Sequence, residues 1–291
     1  MNIVVCIKQV PDTNEIKINP VTGTLIREGV PSIMNPDDKG GLELALRLKD
    51  KYGAHVTVVT MGPMQADAIL REAFAMGVDR AILLSDRKFA GADTLATSYA
   101  LSCTLRQLDY DLVITGRQAI DGDTAQVGPE LAEQLGLPQV SYLEDFELGA
   151  YSRIGNIIKN IKNVLPINDN SKQEIPINEN GKITATLKKQ TEDGYEILEC
   201  ELPMLVTVLA SSFKPRYMSV SGIVNAYNKE VEVWNVSNIN ADETRLGLSG
   251  SPTRVKESFA KAIKQAGVVH EVEPEEAVDI IINKLKEKFI I

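Results

Sequence analysis

The loop from Gly116 to Gly128 holds the most informative set of ligand-binding side chains in this chain. It joins an apolar run, Asp111–Thr115, to a helical pattern at about 129–135. Small residues let the backbone approach a phosphate closely, and backbone N–H groups at a helix start carry partial positive charge. Thr124 and Gln126 can donate hydrogen bonds, and Arg117 can neutralise a phosphate. The pattern favours an anion site at this loop.

A purely structural interpretation of the same loop stays open. Gly122 and Gly128 could only form turns, and Asp121 could only cap the following helix. The loop lacks the lysine-serine ending of a Walker loop, and no GxGxxG follows the first strand, so an ordinary P-loop or Rossmann site is disfavoured. The residues alone leave phosphate binding and a structural turn as equal alternatives.

Four further segments are predicted to lie near the 116–128 loop. Lys8–Asp12, Thr60–Pro63 and Asp86–Asp93 each follow a predicted strand, and Met34–Asp38 precedes the first helix. Lys8 is ambiguous, because a lysine at a strand end is more often simply solvated. Together these segments define one candidate ligand edge.

The elements that must position these loops alternate along the first half of the chain. Apolar runs predict strands, and amphipathic patterns predict helices. The strands are expected at 3–7, 55–60, 81–84, 111–115 and 205–209, and the helices at 38–51, 65–76, 94–108 and 129–135. Apolar strands separated by such helices predict an α/β fold, with a mainly parallel sheet and helices on both faces. Ligands bind such sheets at the carboxyl ends of the strands.

The second half of the chain departs from this alternation. Residues 150–181 are rich in Asn, Ile, Lys and Pro, which predicts a surface insertion. Lys182–Lys189 and Tyr195–Leu202 predict a hairpin. Helices are expected at 255–266 and 274–288. We therefore predict an α/β domain over 1–235 and a C-terminal helical arm over 236–291 that packs on a partner subunit.

Composition excludes several classes of function. The 291 residues carry a formal net charge of -9, which disfavours nucleic acid as a partner. The three cysteines include no CxxC pair, so no zinc or iron–sulfur site is predicted, and the two histidines lie in no catalytic motif. No signal peptide and no membrane-spanning run are evident, so we expect a cytoplasmic protein without membrane insertion.

Several motifs occur together in one known family. They are Val5–Asp12, Met34–Pro36, Ala75–Gly77, Gly116–Gly128, Lys189–Thr207 and Pro215–Tyr217. Over nearly its whole length the sequence resembles the beta subunit of electron transfer flavoproteins. One position departs from the pattern, because Leu187 stands where the family has a smaller aliphatic residue or glycine. The resemblance implies an adenine nucleotide alpha hydrolase-like fold and a heterodimer with an alpha subunit that carries its own FAD.

The family has two branches, and the resemblance bears on both. In the common branch the beta subunit holds a structural AMP, and the protein is an electron carrier. In the electron-bifurcating branch it holds a second FAD that takes hydride from NADH, as part of anaerobic metabolism. Asp121–Pro129 and Gly247–Thr253 resemble the bifurcating form. That form sends one electron through the alpha-subunit FAD to a dehydrogenase and the other to ferredoxin or flavodoxin, and it requires no acid–base side chain.

The strand-end placement and the resemblance together predict the cofactor-binding residues. These are Cys6, Ile7, Lys8, Asn35, Asp37, Met61, Gly62, Asp93, Thr94, Thr97, Gly116, Arg117, Asp121, Gly122, Asp123, Thr124, Ala125, Gln126 and Val127. Arg117 could also meet a reduced flavin if it folds over the ring. The ligand is expected to be FAD, with AMP as the alternative.

The family's partner-docking loop is expected over Ser212, Phe213, Lys214, Pro215, Arg216 and Tyr217. Ser212 stands where the family presents a leucine, so a flavin-dependent lactate-type dehydrogenase becomes an alternative partner to an acyl-CoA dehydrogenase. Phe213 could replace the missing apolar anchor, or it could only pack locally. A stand-alone adenine-nucleotide-binding protein is a third possibility, and the apolar pattern of the C-terminal arm argues against it.

Overall fold

The computed structural model describes residues 1–12, 31–149, 172–253 and 267–289. Its strands are β1 Asn2–Cys6, β2 Gln9–Pro11, β3 Ser32–Met34, β4 His55–Met61, β5 Arg80–Leu84, β6 Leu112–Gly116, β7 Gln139–Leu148, β8 Thr184–Thr191, β9 Gly194–Glu201, β10 Met204–Val208 and β11 Glu232–Trp234. Its α-helices are α1 Pro36–Tyr52, α2 Asp67–Met76, α3 Thr94–Leu105, α4 Val127–Leu135, α5 Val220–Ala226 and α6 Pro274–Glu287. Short 3-10 turns lie at 64–66, 87–89, 236–238 and 243–245.

A nine-stranded sheet forms the centre of the fold, in the order β11-β5-β4-β1-β6-β10-β7-β8-β9. The strands from β11 to β7 are parallel, and β8 and β9 add an antiparallel hairpin at one edge. β2 and β3 pair separately. The predicted α/β class and the mainly parallel sheet are confirmed.

Alternate residues of the central strands feed two cores, one on each face of the sheet. Ile3 and Val5 join the core built with α1 and α2, whereas Val4 and Cys6 join the core built with α3 and α4. This alternation follows from the period of two in a strand. Because both faces are covered, β1 reads in the sequence as an unbroken apolar run.

The connections reverse direction beside β1. After β1 the chain builds β4 and β5 on one side, and then β6 is placed on the other side of β1. A parallel sheet opens a crevice at such a reversal, outside the carboxyl ends of the two strands. Lys8 follows β1 and Arg117 follows β6, so the crevice falls between two of the predicted ligand segments.

Five elements were not predicted from the sequence, namely the paired short strands β2 and β3 together with β7, α5 and β11. β7 lacks a continuous apolar run because only one of its faces is buried, and its register shifts on both sides. α5 spans only Val220–Ala226 and buries a single residue, and β11 is a three-residue edge strand. The predicted hairpin is confirmed as β8 and β9.

Residues 150–171 and 254–266 lie outside the described residues, so most of the predicted insertion and the first predicted arm helix are not described. Residues 267–289 belong to a second compact unit, distinct from the unit that contains the sheet. Residues 236–253 lie in the sheet-containing unit, where Ile239 and Leu246 are buried. The division at 235/236 stays a prediction. No helix within the described ranges is long and apolar enough to cross a membrane.

Candidate functional site

The ends of β1 and β6 are joined by one buried carboxyl group, that of Asp38. Its Oδ2 accepts a hydrogen bond from the Lys8 backbone N–H at 2.8 Å, and its Oδ1 accepts from the Gly116 N–H at 3.0 Å. Asp38 therefore bridges the crevice at the switch between strands.

Burial dominates the titration of this group. It raises the pKa of Asp38 to about 7, although hydrogen bonds from Asn35, Lys8 and Gly116 partly offset the shift. Burial, reinforced by the nearby Asp38, raises the pKa of the Cys6 thiol to about 12. At neutral pH Cys6 is thus a neutral thiol, and Asp38 is near its titration midpoint.

Asp37 ties a third strand end to the same place. Its Oδ1 accepts from the Ala210 N–H, just beyond β10, at 2.9 Å, and its Oδ2 accepts from the Gln118 N–H at 3.3 Å. Asn35 Nδ2 donates to the Gln118 carbonyl at 2.8 Å, and Asn35 Oδ1 accepts from the Ile120 N–H at 3.1 Å. The first turn of α1 thus holds the opening half of the 116–128 loop.

Sequence reasoning missed Asp38. Asp37 and Asp38 follow Pro36 at the start of a helix, where acidic residues are ordinarily explained by the helix dipole. The nearby glycines could have shown that these aspartates are more than ordinary helix-start residues. Gly40, Gly41 and Gly116 let the helix start approach the strands closely. A Cβ on Gly116 would lie 2.2 Å from Asp38 Oδ1, and one on Gly41 would lie 2.8 Å from Ile114 Cγ2.

The second half of the loop leads into the start of α4. Among the described residues, no acceptor is found for the backbone N–H groups of Gln126, Val127 and Gly128. Asp123 and Ala125 adopt left-handed φ angles of 53° and 54°, which turn the chain into the helix. Such a helix start can hold a phosphate group.

The glycines of this half differ in what they do. A Cβ on Gly128 would lie 2.7 Å from both Thr115 Oγ1 and Thr207 Cγ2, so Gly128 lets α4 begin close to the sheet. A Cβ on Gly122 would meet nothing within 4 Å. The loop is therefore open at Gly122 and tightly packed at Gly128.

Two cationic side chains flank the loop. Lys8 Nζ lies 2.6 Å from Asp121 Oδ1, which links the end of β1 to the loop directly. The buried Nε of Arg117 lies 3.3 Å from Asp37 Oδ2 without making an aligned hydrogen bond. The Arg117 guanidinium also lies 5.9 Å from the centre of the Tyr142 ring. Both cations can supply charge to an anionic ligand.

The start of α3 forms the other rim of the site. Asp93 caps α3 through the Ala96 N–H at 3.0 Å, and it accepts from Thr253 Oγ1 at 2.7 Å. Burial alone would raise the pKa of Asp93, but these hydrogen bonds outweigh it and hold the pKa below its ordinary value. The Thr94 hydroxyl lies 3.1 Å from Gln126 Oε1, so α3 contacts the 116–128 loop.

The remaining predicted cofactor-binding residues differ in their exposure to solvent. Met61 and Gly62 line a cleft that they share with Lys8, Gln9 and Pro63. Cys6 and Ile7 are buried in the cores, so their side chains are packed among apolar groups. Thr97 is half-buried one turn inside α3. Asp123 and Thr124 are exposed at the tip of the loop, whereas Ala125 and Val127 are half-buried.

Comparison with known proteins decides the family. The model of the electron transfer flavoprotein domain matches residues 22–155. The electron transfer flavoprotein subunit beta of Clostridium acetobutylicum is 51% identical over 291 residues, covering 100% of both chains. The chain belongs to the electron transfer flavoprotein beta subunits. It is also similar to the caffeyl-CoA reductase-Etf complex subunit CarD of Acetobacterium woodii, at 46% identity over 100% of both chains.

A further relative is named as a subunit of a different reductase. The acryloyl-CoA reductase electron transfer subunit gamma of Anaerotignum propionicum is 39% identical, with 100% of both chains covered. The relatives span the chain from end to end, so the matched region includes the 116–128 loop, the first turn of α1 and the predicted docking loop.

In this beta subunit the predicted docking residues are not equally accessible. Phe213 is only 3% exposed, and the Arg47 guanidinium lies 5.5 Å from its ring centre. Of the two alternatives for Phe213 the structure shows local packing, because the ring packs into the core beside α1. Arg216 Nε pairs with Glu43 Oε2 at 2.9 Å, and its Nη2 pairs with Asp50 at 2.8 Å.

The other docking residues divide between surface and interior. Tyr217 is 93% exposed. Lys214 is exposed as well, Pro215 is half-buried, and the Ser212 hydroxyl is buried without a hydrogen-bond partner in the described part of the chain. Tyr217 is thus the apolar side chain that this loop presents at the surface.

Proposed function

We propose that this chain is the beta subunit of an electron-bifurcating electron transfer flavoprotein and that it binds FAD at the 116–128 loop. The observation that carries the proposal is the loop itself, which places unpaired N–H donors at the start of α4 beside the switch between β1 and β6. The 46% identity to a subunit named for a caffeyl-CoA reductase-Etf complex supports a role in such an assembly.

The residues present fit a nucleotide diphosphate. The N–H groups of Gln126, Val127 and Gly128 supply donors, and Lys8 and Arg117 supply positive charge. Open space at Gly122 leaves room for a ligand beside the exposed tip of the loop. Asp93 and Thr94 form a polar rim on which hydroxyl groups of a nucleotide can be held.

The chain's own residues bind and orient the cofactor. A bound FAD would supply the redox chemistry, taking hydride from NADH and passing single electrons to ferredoxin or flavodoxin and, through the alpha-subunit FAD, to a dehydrogenase. The Arg117 guanidinium, held between Asp37 and Tyr142, can place positive charge beside the ligand. We further propose a cytoplasmic heterodimer in which the arm over 236–291 packs on the alpha subunit.

The partner dehydrogenase is either of the lactate type or of the acyl-CoA type. Relatives named for acryloyl-CoA and caffeyl-CoA reductases support the acyl-CoA alternative. Ser212 in place of the family's leucine supports the lactate-type alternative. Electron transfer from the purified heterodimer to each dehydrogenase would distinguish them.

A cofactor count tests the proposal. The chain is purified with its alpha subunit, the complex is denatured, and released FAD and AMP are quantified by chromatography against the protein concentration. We expect two FAD and no AMP per heterodimer, together with oxidation of NADH when ferredoxin and a dehydrogenase are both supplied. One FAD plus one AMP would exclude bifurcation and leave the AMP-binding electron carrier as the function.

A further inference from the structure

Asp38 is a buried acidic group at the switch that the proposed cofactor chemistry does not use. It is 7% exposed, and it sits at the start of α1 rather than in the loop that would contact the ligand. Each of its two oxygens accepts one backbone N–H, from Lys8, which follows β1, and from Gly116, which ends the neighbouring strand β6. Its contacts are therefore with the two segments that bound the crevice.

The packing around Asp38 leaves these segments little freedom. A Cβ on Gly116 would lie 2.7 Å from the Asp38 backbone nitrogen as well as 2.2 Å from its carboxylate. The Lys8 carbonyl also accepts from the Asn35 N–H at 2.9 Å. The start of the 116–128 loop is thus held in van der Waals contact with α1, and a change at Asp38 must be transmitted to Lys8 or to Gly116.

We propose that Asp38 is a positioning residue of the nucleotide site: its ionised carboxylate fixes the end of β1 against the 116–128 loop, and nucleotide binds most tightly while that carboxylate is ionised. The inference rests on the proposed nucleotide site and adds a pH dependence to it. An ionised carboxylate offers acceptors on both oxygens, whereas a protonated one carries a hydrogen on an oxygen that should accept.

The direction of the pH dependence follows from the position of the titration. Because burial raises the pKa of Asp38 to about 7, the group is mostly ionised at pH 8 and mostly protonated at pH 6. Protonation weakens the contact to one of the two strand ends, so nucleotide affinity should fall as the pH falls through 7.

The charged and titratable groups around Asp38 do not replace its role. Asp37 faces Ala210 and Gln118, the Arg117 side chain pairs with Asp37, and the Lys8 ammonium pairs with Asp121. On β1 the raised pKa of Cys6 keeps its thiol neutral over this range. Of these groups, Asp37 and Cys6 interact electrostatically with the Asp38 carboxyl.

The test measures nucleotide affinity against pH in the complex of the full chain with its alpha subunit. The complex is stripped of nucleotide at the beta site and titrated with FAD, and separately with AMP, at pH 6, 7 and 8. For the wild type we expect binding roughly tenfold weaker at pH 6 than at pH 8, the size expected for one weakened charge-assisted hydrogen bond. Asp38→Asn should bind at pH 8 about as weakly as the wild type at pH 6, with a nearly flat profile.

Asp37→Asn is the matched control. It removes a neighbouring carboxylate that also bridges two strand ends, but it leaves Asp38 in place. Its affinity should therefore fall at every pH and still depend on pH, with a midpoint below that of the wild type because the Asp37 charge helps to raise the pKa of Asp38. Because an AMP phosphate itself titrates near pH 6, only a difference in slope between Asp38→Asn and Asp37→Asn counts with that ligand. Equal slopes for the two variants would overturn the proposal.

A measurement on the wild type alone covers the case in which Asp38→Asn does not fold. Calorimetry of FAD binding near pH 6.5, in two buffers with different ionisation enthalpies, should show net release of protons on binding. Proton uptake or no proton exchange would overturn the role of Asp38. If only AMP binds, and binds with the expected difference in slope between the variants, the FAD assignment fails while the role of Asp38 stands. If FAD binds with an affinity that does not change with pH, the FAD assignment stands and the role of Asp38 fails.

Discussion

Two regions depart from the usual distribution of side chains. The first turn of α1 buries polar side chains, and the segment Ser212–Tyr227 exposes apolar ones. At the start of α1, Asn35, Asp37 and Asp38 are polar and buried, and each accepts or donates hydrogen bonds. In the second segment, which includes α5, Tyr217 is apolar and exposed. Buried polar groups and exposed apolar groups are the informative exceptions to ordinary packing. In our proposal the first region organises the nucleotide site, and the second offers a surface to a partner.

The largest expected effect is a difference in stability between a buried and an exposed residue of the segment Ser212–Tyr227. Phe213→Ala should lower the free energy of unfolding by about 3–5 kcal/mol, because a buried aromatic ring is removed and a cavity remains. Tyr217→Ala should leave stability within about 0.5 kcal/mol, because its side chain contacts solvent. Chemical denaturation of both variants checks the difference.

The same pair tests docking. If the segment binds a dehydrogenase, Tyr217→Ala should slow electron transfer to the dehydrogenase but leave NADH oxidation with an artificial acceptor unchanged. Unchanged coupling in Tyr217→Ala would remove this side chain from the interface. Phe213→Ala cannot serve for that test, because its loss of stability affects every activity.

A smaller effect compares two glycines of the first region. Gly116→Ala should destabilise the fold by roughly 2–3 kcal/mol, because the new methyl group overlaps the Asp38 carboxylate and backbone. Gly122→Ala should be nearly neutral in stability, because its Cβ meets no neighbour within 4 Å. Thermal unfolding gives the stabilities, and nucleotide retained after gel filtration reports the site. Equal stability of the two variants would contradict the close contact of β6 with α1.

The smallest effect concerns the exposed ion pair of Lys8 and Asp121. Lys8→Met should change stability by less than about 1 kcal/mol, because such pairs are screened by solvent. It should nevertheless weaken nucleotide binding several-fold at low salt, because positive charge beside the loop is lost. Lys182→Met is the matched control, since Lys182 pairs with Glu201 at the same 2.6 Å in the hairpin region. A similar loss of nucleotide affinity in both variants would exclude a local role for Lys8.

The sequence predicted the parts of the fold whose signals are local. β1, β4 and β6 are short runs rich in β-branched and apolar residues, so these strands could be predicted, and with them the edge where the loops meet. β7 could not, because its Tyr142 adopts a left-handed φ of 58° and the strand shifts register against both neighbours. That irregularity is specified by packing against β8 and β10 rather than by the residues of β7.

The candidate site divides in the same way. The 116–128 loop was predictable because it follows a strand and precedes a helix. Asp38 was not, because its contacts join residues 30 and 78 positions away along the chain. For Phe213 the sequence left an apolar anchor and local packing as alternatives, and only the contact with α1 shows that the ring is buried.

The strand order also sets the time at which the site can form during synthesis. β10 inserts between β6 and β7, the Arg117 N–H donates to the Val208 carbonyl, and Asp37 receives the Ala210 N–H. A nascent chain that has emerged only as far as α4 already contains every residue of the 116–128 loop, but it lacks the strand against which that loop is anchored. At the proposed site, cofactor capture therefore has to wait until residue 210 has left the ribosome.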